Sequence, residues 1–223
     1  MAETKVNPSV AENISLENAQ DFIEKNQKII LVLASAVLVI FVAYVGFFHW
    51  YIPEQEAEAQ SQMFKAVSYF ENDNYEQALS GDGNFPGLLS IANKYKFTKA
   101  ANLAHYYAGI SYLNTGKFQE AIDHLKKFSS DDKVLSTLAL GAIGDAYFEL
   151  NNASKGISYY KKAVANEPNE FTTPVYMLRL ALAQEAQGNK EEAVSTFQKL
   201  KEEYPNTQEG RNAEKHLARL GNI

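Results

Sequence analysis

Hydrophobic and polar positions divide the chain into three regimes. Up to residue 28 polar residues dominate. From Ile29 to Phe48 the stretch IILVLASAVLVIFVAYVGFF runs for 20 residues without a charge, an amide or a proline. Beyond Pro53 apolar residues recur at three- and four-residue spacing, the period of a helix with one buried face. At a rise of ~1.5 Å per residue the central stretch would be roughly 30 Å long, the thickness of a bilayer's hydrocarbon core. In lipid a helix is the form in which such a stretch satisfies its own backbone hydrogen bonds. A core helix of this length should carry a polar stripe, and none is present. A cleavable signal has an apolar region of only about 7–15 residues with small residues close behind. Here the bulky run Phe47-Phe48-His49-Trp50-Tyr51-Ile52-Pro53 follows, and the small pair in Ala57-Glu58-Ala59 lies well beyond it. A transmembrane helix over 29–48 is therefore predicted.

Flanking charges orient it. Lys25 and Lys28 precede the span, whereas Glu54, Glu56 and Glu58 follow it with no Lys or Arg before Lys65. The positive-inside rule places residues 1–28 in the cytoplasm and the larger C-terminal part across the membrane, with Trp50 and Tyr51 at the far headgroups. The cytoplasmic segment reads as a flexible tail that becomes a short amphipathic helix from about Asn18, with Phe22 and Ile23 near the lipid. Within the span Ala36, Val39, Ala43 and Gly46 share one face. Ala36, Ala43 and Gly46 could pack against another membrane helix, although small residues occur in any anchor.

The remainder, 54–223, repeats itself. HYYAGISYLNTGKFQEAIDHLKKF, LGAIGDAYFELNNASKGISYYKKAVANEP and MLRLALAQEAQGNKEEAVSTFQKLKEEYP align with Gly109, Gly144 and Ala181 at one position. Gly116, Asn151 and Gly188 fall together at a turn, and Leu125, Tyr160 and Phe197 at a later large position. Spacings of 35 and 37 residues between equivalent positions approximate the 34-residue tetratricopeptide period. A small residue in the first helix of a unit lets the second approach. Gly or Asn at the turn takes the left-handed conformation that ends a helix. Pro168 and Pro205 stop the second and third units. The predicted fold is all-α: one N-terminal transmembrane helix, then a tetratricopeptide-repeat solenoid. Its parts are a degenerate first unit at 54–84, an extra helix within 85–101, repeats at 102–135, 137–170 and 174–207, and a capping helix at 208–221.

Composition narrows the function. The net charge is −6 and no basic block is present, so nucleic acid lacks its electrostatic footprint. Without cysteine there is no disulfide, thiolate metal site or thiol nucleophile. His49, His105, His124 and His216 lack metal-ligand spacing, and no hydrolase or nucleotide-binding signature occurs. Gly81-Asp82-Gly83-Asn84 lacks the periodicity of a calcium loop and reads as a turn. Asp145, on an otherwise apolar helix, is expected to pair or cap. No catalytic, cofactor or metal site is predicted.

Binding surface is the better expectation. The first helices of the units should line a concave groove containing Leu103, Tyr106, Ile110 and Leu113, then Leu138, Asp145 and Phe148, then Leu178, Leu182 and Glu185. Tyr106, Phe148 and Leu182 are the leading candidates for contacts. Such an aromatic and aliphatic groove suits an apolar or extended polypeptide. The competing reading is that half of these side chains pack between helices.

The layout resembles the YfgM-like family of ancillary subunits of the bacterial SecYEG translocon. The resemblance rests on the lead DFIEKNQK at Asp21–Lys28, the single span, the acidic helix at Glu54–Gln62 and the tract IANKY…TKAA within 91–101, ahead of the repeats. It implies an inner-membrane protein with periplasmic repeats that acts without catalysis beside a SecYEG-type translocon. It also implies work with a periplasmic prolyl-isomerase chaperone of the parvulin type (PpiD-like). An envelope-assembly scaffold and a cytosol-facing organelle import receptor are the alternatives.

Overall fold

In the computed structural model the described residues are 8–221, with side chains described from Asp21 onward, and every regular element among them is helical. Residues 1–7 of the expected tail and the last two residues of the chain lie outside this range. The elements are α1 (Pro8–Gly46), a π-helical turn (Phe47–Tyr51), α2 (Ile52–Glu71), α3 (Tyr75–Ser80), α4 (Leu88–Lys94), α5 (Lys99–Asn114) and α6 (Phe118–Leu125). They continue with α7 (Lys133–Glu149), α8 (Ala153–Ala165), α9 (Thr173–Ala186), α10 (Lys190–Glu203) and α11 (Gln208–Arg219). The chain divides into two compact units, residues 1–54 and 55–223.

In the first unit the helix starts earlier than the sequence pattern predicts, at Pro8 rather than near Asn18. Proline at a first helical position has no N–H to lose and a preset φ. The apolar stretch is exposed on every side, from Ile29 to Trp50, and none of it is buried within the protein. The hydroxyl of Ser35 donates to the carbonyl of Leu31 at 2.7 Å, so it presents no unpaired donor. The helix is long and apolar enough to cross a bilayer. Pro53 sits in the first turn of α2, where its missing N–H is tolerated, just after the π-helical turn.

The second unit is built from helix pairs α2/α3, α5/α6, α7/α8 and α9/α10, with α4 inserted after the first pair and α11 at the end. The same C-terminal signature closes the first helix of all four pairs. Asp73, Gly116, Asn151 and Gly188 have φ of 58, 76, 57 and 81°. In each case the next residue's N–H reaches back five residues: Asn74 to Tyr69, Lys117 to Tyr112, Asn152 to Tyr147 and Asn189 to Gln184, all at 2.8–2.9 Å. These are Schellman turns, which satisfy carbonyls the helix leaves free.

Small-to-large packing holds the pairs together. A Cβ at Gly109 would lie 2.5 Å from Leu125 Cγ, and one at Gly144 would lie 2.7 Å from the Tyr160 ring. The core is a string of clusters, from Ala59, Met63, Leu88 and Ile91 at one end to Phe197, Leu200 and Leu217 at the other.

The expected helix within 85–101 is shorter than predicted, because α4 ends at Lys94 and α5 begins at Lys99, ahead of the predicted repeat start at 102. The cause is capping. Thr98 Oγ1 accepts from Ala101 N at 3.0 Å, and the Glu56 carboxylate of α2 accepts from Lys99 N at 2.5 Å and Ala100 N at 3.1 Å. A carboxylate on the free N–H groups of a helix start also complements the helix dipole.

Candidate interaction surface

Helices α5, α7 and α9 are the first helices of the last three pairs; α5 packs on α7, and α9 on the terminal α11. They carry the residues predicted to line the groove. Tyr106, Ile110 and Leu113 are half-buried against Ile122, Ala139, Ile143 and Tyr147, so they join the first full pair to the next. The Tyr106 ring also meets Phe128 at a centroid distance of 5.1 Å. Phe148 stacks on Tyr160 at 5.2 Å and covers Gly156, filling its own pair. Leu178 packs beside Met177, Phe197 and Leu217. Leu182 is the one of the six that stays open, at 39% exposure. In the first unit Ala36 and Ala43 are exposed, Gly46 is partly so, and nothing lies within 4 Å of a Cβ built on Gly46.

Asp145 anchors a polar junction between pairs. Its carboxylate accepts from Tyr160 Oη at 2.5 Å and from Arg179 Nη1 at 2.6 Å to each oxygen. Burial and the bond to Asp145 push the Tyr160 phenol well above its ordinary value. Burial and the same negative charge push Tyr176 up to about 12. Both phenols are therefore protonated near neutral pH, and Tyr160 acts as donor to Asp145 rather than as a nucleophile. The Tyr176 ring lies where a side chain on Gly141 would be, so only glycine allows α9 this close to α7.

A second inter-helix pair repeats the arrangement. Glu185 Oε1 and Oε2 accept from Arg219 at 2.6 and 2.8 Å. Arg179 and Arg219 were not singled out from the sequence. Their signal was present: in both pairs the arginine follows the carboxylate by 34 residues.

Histidines at 105 and 124 do meet. Their Nδ1 atoms are 3.1 Å apart, and His124 also lies on the Tyr112 ring. Burial, then the charges of His105 and Lys127, lower His124 to about 4, and burial lowers His105 as well. Near neutral pH the pair is uncharged, one ring donating to the other. Among the described residues no group of three His, Cys, Asp or Glu side chains is placed to hold a metal. The Asp82 loop is a turn, with Asp82 Oδ1 accepting from Asn84 N and Phe85 N at 2.9 and 2.7 Å.

Large apolar side chains left in water include Phe64 on α2 at 80% exposure and Phe171 before α9 at 85%. The spacing of Ala57, Met63, Phe64, Ala66, Val67 and Phe70 predicts Phe64 to be buried, and the structure corrects this: α2 buries Met63 and Ala66 and turns Phe64 outward, while Phe171 was not anticipated. Together with Leu182 these two phenylalanines are exposed apolar points on the repeat unit.

Comparisons with known proteins agree with this geometry. Tetratricopeptide-repeat family profiles match residues 106–171 and 176–207. Among solved structures, a kinesin light chain-like protein of nearly identical TPR-like repeats from Podosopora anserina matches with a TM-score of 0.56 and 16% identity, covering 74% of this chain and 86% of that one. A single-substitution variant of it matches with a TM-score of 0.56 and 15% identity, over 74% and 85%. No curated protein sequence matches the chain. At such identities the likeness speaks for fold. With the Schellman turns and the small-to-large packing, it makes the second unit a tetratricopeptide-repeat solenoid, an architecture that serves as a scaffold for protein–protein contacts.

Proposed function

We propose that this chain is a non-catalytic, membrane-anchored scaffold of the bacterial inner membrane, with its repeats in the periplasm beside a Sec-type translocon. The observation that carries it is a helix whose apolar side chains are exposed all round, in one chain with a tetratricopeptide array. An apolar surface of that length suits lipid, and an array of paired helices suits a protein partner. The lysines before the span and the glutamates after it support a cytoplasmic N-terminus. The resemblance in layout to the YfgM-like subunits supplies the partners: the translocon channel and a periplasmic prolyl-isomerase chaperone.

The test is purification of the full-length protein from its native host in mild detergent, with copurifying proteins identified by mass spectrometry. Recovery of channel subunits and a periplasmic prolyl isomerase is the expected result. Recovery of outer-membrane or cell-wall assembly factors instead, without the channel, overturns the translocon reading and leaves an envelope scaffold. Topology is checked separately by placing single cysteines in this cysteine-free chain. One at Ser154 should react with an impermeant maleimide in cells with an intact inner membrane, and one at Glu24 should not.

A further inference from the structure

On the side of the array formed by the second helices, a groove of about 370 Å³ opens where the end of α6, the face of α7 and α8 converge. Its floor is apolar, with Leu125, Leu140 and Ile143, and Lys126 and Lys162 stand at its edge. The lysines sit over tyrosine rings: Lys162 Nζ is 4.5 Å from the Tyr159 centroid, and Lys155 Nζ is 5.2 Å from that of Tyr147. Lys126 Nζ donates to Tyr147 Oη at 2.9 Å and lies 5.4 Å from the same ring.

The charge balance is the telling feature. Lys133 and Lys161, on the same helices, are paired with Glu167 and Glu192. Lys126, Lys155 and Lys162 make no ion pair among the described residues. The carboxylate acting on Lys126 from a distance is Asp123, which is exposed and already accepts from Gln119 Nε2 at 2.9 Å. In a chain of net charge −6, two such cations, Lys126 and Lys162, thus edge one apolar groove, and Lys155 stands beside it over the Tyr147 ring that Lys126 also meets.

We propose that this outer groove docks an acidic segment of a partner protein, with an apolar side chain in the groove and flanking carboxylates on Lys126, Lys155 and Lys162. Charge complementarity selects acidic over neutral peptides and speeds encounter, while the apolar floor supplies short-range attraction. A lipid surface fits less well, because it would meet the lysine heads and leave the sunken floor unfilled. Nucleic acid needs a longer basic track than three lysines. The inference rests on the scaffold reading and is independent of whether the translocon is the partner.

The experiment uses the full chain in nanodiscs of zwitterionic lipid and a short fluorescein-labelled peptide, a Leu-Phe pair flanked on both sides by Asp and Glu. A matched peptide carrying Asn and Gln in their place is the control. Saturable binding of the acidic peptide is expected. It should weaken about tenfold for the neutral peptide, and by a similar factor in the Lys155→Gln/Lys162→Gln variant, roughly one charge-assisted contact's worth of affinity. That variant leaves the Lys126–Tyr147 bond in place, and an unchanged melting curve verifies its fold. A bromoacetyl form of the peptide should cross-link to Lys162→Cys and not to Lys199→Cys on α10. Absence of saturable binding, equal binding of the neutral peptide, or indifference to the lysine substitutions each overturns the proposal. So does lysine-dependent capture by phosphatidylglycerol vesicles without peptide binding, which assigns the lysines to lipid.

Discussion

Gly144 and Asp145 are neighbours on α7 that do different work. Gly144 is defined by what it lacks: a methyl there would sit 2.7 Å from the Tyr160 ring. Gly144→Ala should destabilise the repeat unit by about 1–3 kcal/mol, the usual result of overpacking, despite alanine's better helix propensity. A lowered melting temperature measured by circular dichroism checks it, at roughly 2–4 °C per kcal/mol for a domain of this size. Asp145 holds two donors at once, so Asp145→Ala leaves Arg179 and Tyr160 unpaired. Arg179 is 45% exposed and can turn to water, which limits the loss to about 1–2 kcal/mol. A double-mutant cycle with Arg179→Ala should return a coupling of the same order. Sequence alone could place Asp145 on an apolar helix and expect pairing, but the partner lies on the next pair, out of reach of any local rule. The histidine pair was less legible still, because the separation of 19 positions between His105 and His124 matches no ligand spacing. Its consequence is a pH dependence. His124 lies near 4 when folded and near 6.5 when unfolded, so the unfolded chain binds the proton more tightly. Stability is complete above pH ~6.5 and declines as pH falls toward 4. Linkage over that interval gives at most about 3 kcal/mol, and roughly half that for a ring with partial access to water. Melting at pH 7.5 and pH 5 should show the decline in the native protein and a smaller one in His124→Gln.

At the scale of elements the turns were the readable part. Gly116, Asn151 and Gly188 were identified as left-handed positions from residue type and spacing, and the backbone takes that conformation at all three. The fourth, Asp73, was missed because aspartate is a weaker sign of it. Asn151→Gly should leave stability within about 0.5 kcal/mol of the native chain, since glycine has no steric objection to φ of 57°. Asn151→Val should cost about 1–3 kcal/mol, because a β-branched side chain is strained there. Helix starts were harder to read. The beginning of α5 depends on Thr98, a local signal, and on Glu56, which reaches it from 43 residues earlier. No periodicity reports such a contact. Glu56→Ala should therefore fray the start of α5 without unfolding the array. Faster amide exchange near Lys99 and Ala100, with protection retained in α7 to α10, is the expected pattern.

For the whole molecule, the sequence states the existence of the apolar helix and the repeats plainly, because each rests on a long run of concordant positions. It does not state which surfaces are free. Tyr106 and Phe148 read as groove residues by position and are half-buried packing residues by contact, while Lys126, Lys155 and Lys162, scattered along the chain, meet only after folding. The span poses the same question in lipid. Ala36, Ala43 and Gly46 leave a shallow strip on a helix that touches nothing in its own unit at Gly46. If the span is only an anchor, enlarging that strip changes nothing, because lipid chains accommodate leucine as readily as alanine. If it packs against a membrane helix of the partner, added bulk separates the backbones and removes close van der Waals contact. The triple variant Ala36→Leu, Ala43→Leu and Gly46→Leu keeps the span apolar and adds no clash within the protein, so its membrane insertion should match that of the native chain. Recovery of the proposed channel partner in mild detergent should then fall several-fold, while its retention at native levels assigns the contact to the repeats alone. Melting of the repeat unit, measured in parallel, should not move, and that separates a lost membrane contact from a damaged fold.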